Sequence, residues 1–266
     1  MGRRKIAATI EDFSGVPTKR VSRKTVARKL VSEDAVVIPM QPQLRKTFHL
    51  KDLKKIDPLT DNQEKAFREW DREDNTVIAL QGLPGTGKTM LACYFALHAL
   101  LDPDTPYKKV VILRNAVETG KSVGLLPGEL EEKLLPYEAP YMDIFDQLFQ
   151  FKNSYKNMKE NGLIEFACLQ YSRGISFNDS IVIFDESQNA DIVSCETVLT
   201  RLGRNSRMLI CGDAKTQNDM GSKSGFAEVE QILRRTKNTA FVEFGVNDIV
   251  RSGWVKAYIK AKYNLY

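Results

Sequence analysis
The chain has 266 residues, of which 42% are hydrophobic and 27% charged, with a net charge of +5. Such a composition can build a sizeable core, so a disordered or collagen-like chain is excluded. No apolar run approaches the ~18 residues that span a bilayer, and the charges of MGRRKIAATI precede no apolar stretch, so neither a membrane segment nor a secretory leader is expected.

Residues 1–55 show no sustained periodicity and contain Gly15, Pro17, Pro39 and Pro42. They are expected to form a basic, partly flexible arm, with one short strand over 36–39. The first 30 residues hold nine bases against two acids, a surplus of seven, so the rest of the chain carries −2. An arm of that charge suits sequence-independent contact with a phosphate backbone, and it also suits a solubilising tail.

Residues 56–266 read as one α/β domain. PLTDNQEKAFREW offers Thr60 or Asp61 as an N-cap and then a helix to about Trp70. Short apolar runs over 75–81, 108–114, 163–169, 180–186, 206–213 and 239–245 predict strands. Helical patterns over 88–101, 195–202, 225–236 and 252–263 alternate with them. Continuous apolar strands between helices predict a mostly parallel sheet flanked by helices on both faces. An insertion over 119–133 and 137–155 carries Tyr137, Tyr141, Tyr155 and the FDQLFQF run. Its aromatics are expected to pack rather than to stack on bases. In the last helix Trp254, Val255, Tyr258 and Ile259 mark a face that is likewise expected to pack, with Lys256, Lys260 and Lys262 on the other side. Cys93, Cys168 and Cys211 sit in apolar runs, and no CxxC pair joins them or Cys195. They read as small core residues in a reducing, cytoplasmic compartment.

The first strand runs into GLPGTGKT, residues 82–89, the Walker A pattern with its required strand before and helix after. Gly82, Leu83, Pro84, Gly85, Thr86 and Gly87 would wrap backbone N–H groups around phosphate oxygens, and the helix start adds its dipole. Lys88 is placed to reach the β- and γ-phosphates, and the Thr89 hydroxyl to bind Mg²⁺. SIVIFDESQN ends an apolar strand in two carboxylates. Asp185 would hold Mg²⁺, and Glu186 would accept the proton of an attacking water. SRMLICGDAKTQND repeats the theme, with Gln217 able to sense the γ-phosphate or position water. Gln63 could bond an adenine edge, although a capped helix start explains it as well.

These blocks resemble the PhoH-like ATPases, relatives of superfamily 1 helicases. The likeness runs from about Pro58 to Tyr258. It takes in PLTDNQ, GLPGTGKT, RNAVETGKSVGLLPGELEEK, LQYSRG, IFDESQN, LTRLG, CGDAKTQND, SGF and DIVRSGWV, in that order. Ser187 and the Leu83-Pro84 pair are modest departures. Some relatives carry a PIN nuclease domain, for which residues 1–55 are too short.

The resemblance implies a RecA-like P-loop core that binds ATP and Mg²⁺ and hydrolyses ATP, coupled to single-stranded RNA or DNA. Carried over by position, Gln63 contacts adenine, Gln188 belongs with the acidic pair, and Arg251 is the candidate arginine finger, with Arg201 its competitor. One Walker A motif and one acidic pair leave room for one lobe only. The finger is therefore expected from a neighbouring copy, in a homo-oligomer such as a hexameric ring. The alternative is an ATP-gated assembly protein that does not unwind nucleic acid. A small-molecule kinase is disfavoured, because the water-activating glutamate has no task there.

Overall fold
A computed structural model describes residues 47–115, 130–149, 151–169, 176–213 and 224–265. The basic stretch, the strand expected at 36–39 and Gln217 lie outside the described residues. Within them, six strands form one parallel sheet: β1 (Val77–Gly82), β2 (Lys109–Arg114), β3 (Ile164–Cys168), β4 (Ser180–Asp185), β5 (Arg207–Gly212) and β6 (Thr239–Phe244). The order is β3-β2-β4-β5-β1-β6. The α/β fold expected from the apolar strands is thus present, with its sheet parallel throughout the described residues.

The alternation within each strand explains the two faces. Ile78, Leu80, Ile112, Ile183 and Leu209 point to one side. There they meet α1 (Asp61–Asp71), α2 (Lys88–Leu101), α3 (Leu130–Leu148) and α4 (Ser154–Glu160). Ala79, Leu113, Val182, Phe184 and Ile210 point to the other, under α5 (Ile192–Leu199) and α6 (Phe226–Leu233). The central β4 is buried at all six positions, as a strand covered on both faces requires. Helix α2 is apolar nearly all round, because it lies between the sheet and α1 and α3. The helix α7 (Gly253–Lys262) closes the chain beside the β1 end. All four cysteines are buried and free.

The packed body begins upstream of residue 56. Phe48 meets Phe149 edge-on at 5.5 Å, Leu53 is buried, and the Lys54 N–H donates to the Leu148 carbonyl at 2.7 Å. The insertion aromatics pack as expected: Tyr141, Phe145, Phe149 and Tyr155 are all buried. Helix α3 contains Pro136 and Pro140. Both are exposed and four residues apart, so the carbonyls freed by their missing N–H groups fall on the wet side of the helix.

The hairpin of α3 and α4 is locked by Glu138, 2% exposed, which accepts from Lys159 Nζ at 2.7 and 2.8 Å and from the Tyr155 hydroxyl at 3.1 Å. Replacing Glu138 by Ala strands a buried hydroxyl and is expected to cost about 2–3 kcal/mol. Glu138→Gln keeps an accepting oxygen and should cost less than half of that. Urea unfolding of the three proteins checks the order.

Candidate nucleotide site at the strand ends
A parallel sheet gathers its strand C-termini on one edge. At that edge β5 separates β1 from β4, so the loop after β1 and the carboxylates after β4 are two strand spacings apart, about 10 Å. Helix α2 spans that gap: from its first turn the Thr89 hydroxyl reaches both Asp185 oxygens, at 3.2 and 3.3 Å.

Residues 82–87 form the loop itself. Gly82 has φ +128°, and a Cβ there would run into the Phe244 carbonyl of β6. Only glycine lets β1 turn while lying so close to its neighbour. Gly85, at φ +79°, lies beneath Arg251, whose Cγ would be 2.9 Å from an added Cβ. Gly87 caps α2. The Lys88 ammonium is folded into the loop, donating to the Gly82 and Leu83 carbonyls at 2.7 and 2.8 Å. Burial lowers its pKa, against the pull of Cys211, Asp213, Glu186 and Asp185.

Asp185, 4% exposed, is held from three sides. Besides Thr89, it accepts from the Glu186 N–H at 3.0 Å and from the Tyr141 hydroxyl at 2.8 Å. Burial, and next the charge of Asp185, push the Tyr141 phenol well above its usual value, so it remains a donor. Glu186 stands in the left-handed region, φ +50°, a backbone strain of the kind found where a side chain must be aimed. Its pKa is raised, first by burial and then by Asp185. Gln188 ties the two strand ends together: Nε2 donates to Glu186 Oε2 at 2.6 Å, and Oε1 accepts from the Asp213 N–H at 3.0 Å.

Gln63 lies in the capped start of α1, and its amide borders the same cavity. Thr60 caps α1 by accepting from the Gln63 N–H. The Gln63 amide accepts from the Leu59 N–H at 2.8 Å and donates to the Thr86 carbonyl at 3.0 Å. That leaves one N–H and one lone pair of the amide outside those two bonds. A cavity of about 690 Å³ collects Gln63, Lys88, Thr89, Asp185, Glu186, Gln188 and Arg251. Ile56, Leu59, Ile144 and Leu148 give it an apolar wall that can take a flat ring.

The residues fit a triphosphate and a hard cation: a glycine cradle with an ammonium inside it, at a helix N-terminus, beside a hydroxyl–carboxylate oxygen pair. Arg201 lies outside that cavity. Its carbonyl accepts from the Phe177 N–H, ahead of β4 and away from the strand C-termini. The expectation of a finger from a neighbouring copy rests on the chain having room for one lobe only, whereas in this structure Arg251 of the same chain borders the cavity. Tyr141 was missed as an Asp185 partner, for no spacing in the sequence links position 141 to 185.

Residues 55–263 match the family described as PhoH-like protein. A PhoH-like protein of Bacillus subtilis is 40% identical over 189 residues, covering 70% of this chain and 58% of the relative. One of Synechocystis is 38% identical over 184 residues, covering 68% and 54%. Protein PhoH of Escherichia coli is 32% identical over 183 residues, covering 68% and 51%. The chain thus spans a little over half the length of these relatives. Among solved structures, the Pyrococcus furiosus Hef helicase domain aligns with TM-score 0.41 and 15% identity, over 70% of this chain and 39% of that one. None of the described helices is long and apolar enough to cross a membrane.

Proposed function
Because this chain belongs to the PhoH-like protein family and carries a P-loop NTPase core, we propose that it is an Mg²⁺-dependent ATPase stimulated by single-stranded nucleic acid. The observation that carries the ATPase reading is the convergence of Lys88, the Thr89–Asp185 pair and Glu186 on one cavity. Residues 83–87 and Lys88 take the phosphates, with Lys88 leaving its two loop carbonyls for phosphate oxygens. Gln63 and the apolar wall take the adenine. Mg²⁺, when bound, would be held by Thr89 and Asp185 and would neutralise charge on the phosphates. Glu186 takes the proton from the attacking water, and Gln188 keeps its carboxylate aimed. Arg251 offsets charge on the leaving phosphates from within the same chain. Gln217 keeps the γ-phosphate role expected from the sequence. The nucleic-acid half is supported by the basic surplus in residues 1–30. ATP turnover with and without single-stranded RNA, over a salt series, tests it: stimulation that fades with salt is expected, and equal turnover throughout contradicts it.

Two further results follow. The base must be ionised, and burial raises the Glu186 pKa, so activity is expected to fall as pH drops through a value above the usual carboxylate range of about 4.3. A kcat/KM profile locates that limb. Tyr141→Phe removes one hydrogen bond from Asp185 and is expected to raise the Mg²⁺ concentration for half-maximal activity about tenfold. An unchanged Mg²⁺ titration would show that Tyr141 only packs.

A further inference from the structure
The last helix departs from its expected packing. Val255, Ile259 and Tyr263 turn inward onto Ile249 and the P-loop residue Leu83. Trp254 and Tyr258 turn outward, 74% and 55% exposed. Their rings are stacked, 5.6 Å apart and 11° from parallel. Exposed Ala257 and Ala261 lie beside them, and the stack leaves the outer face of each ring for a further ring. From Ile249 to Tyr266 the chain has Arg251, Lys256, Lys260 and Lys262 and no acid. Two exposed aromatics on a wholly cationic segment match what a single strand offers, bases with open π faces on a phosphate chain.

We propose that Trp254 and Tyr258 form a stacking platform for the bases of a single-stranded polynucleotide, with the lysines of α7 supplying positive charge that draws its phosphates. The platform is seated on the nucleotide loop. Ile259 packs with Leu83, the Val250 N–H donates to the Gly85 carbonyl at 3.0 Å, and Arg251 covers Gly85. A strand bound on the outer face of α7 therefore acts on the helix whose inner face shapes the loop. This rests on the reading of the chain as a nucleic-acid-stimulated ATPase and gives that reading a second contact besides the basic arm.

The test is fluorescence anisotropy of the full chain with a labelled 12-nucleotide oligoadenylate and with an abasic strand of the same length, comparing wild type with the Trp254→Ala, Tyr258→Ala double variant. Both side chains are exposed, so the variant should fold, and a thermal melt confirms it. The expected result is affinity for oligoadenylate about tenfold or more weaker in the variant, with affinity for the abasic strand unchanged. Equal oligoadenylate binding by both proteins overturns the platform and leaves the functional reading standing. No binding of either strand by wild type overturns both. Unchanged strand binding together with a smaller assembly by light scattering overturns the platform and assigns the face to contact between copies.

Discussion

Glu186→Gln is expected to lower kcat by about 10²–10⁴-fold while nucleotide affinity stays within a few-fold of wild type. The amide keeps the shape of the carboxylate, and its oxygen can still face Gln188 Nε2, but it cannot take a proton from water at neutral pH. The affinity should survive because the groups proposed to take the phosphates, Lys88 and the loop it bonds, are untouched. The folded chain should also become more stable at neutral pH. A carboxyl whose pKa is raised by folding favours the native state below its unfolded pKa, and that contribution is lost as pH rises through the folded value. A neutral amide removes the cost of keeping the buried charge. A kinetic loss together with a higher Tm would separate a lost base from a damaged fold.

The second large effect concerns Arg251. Arg251→Ala is expected to reduce kcat on the order of 10³-fold. Its position over Gly85 predicts that the effect arises within the chain that carries the phosphate loop. A mixture of Arg251→Ala and Lys88→Ala proteins should therefore stay inactive, since each copy lacks one half of its own site. Recovery of a substantial fraction of wild-type turnover in the mixture would place the arginine in a neighbour's site, as a ring requires.

Much of this site was legible in the sequence because its parts are local. The loop needs glycines at fixed offsets, and its helix runs over residues 88–101 as the pattern predicts. The acidic pair follows an apolar strand, and that strand is the most buried in the sheet. What stayed hidden depends on distant parts of the chain or on the choice of one face. Pro136 and Pro140 argue against a helix, yet α3 holds them on its wet side while Tyr141 reaches Asp185 from the dry side. Helix α5 starts three residues before the expected position because Asp191 caps it, accepting from the Ser194 N–H at 2.8 Å. At α7 four apolar residues crowd about half the helix circumference. Periodicity could not tell that Val255 and Ile259 face the loop while Trp254 and Tyr258 face water.

The most direct measurement is a crystal structure of the Glu186→Gln protein grown with ATP and Mg²⁺. The phosphates should lie within residues 83–88, the metal between Thr89 and Asp185, and the Arg251 guanidinium of that same chain beside the phosphates. A nucleotide bound elsewhere, or a filled loop whose metal stands apart from Asp185, would contradict the shared site.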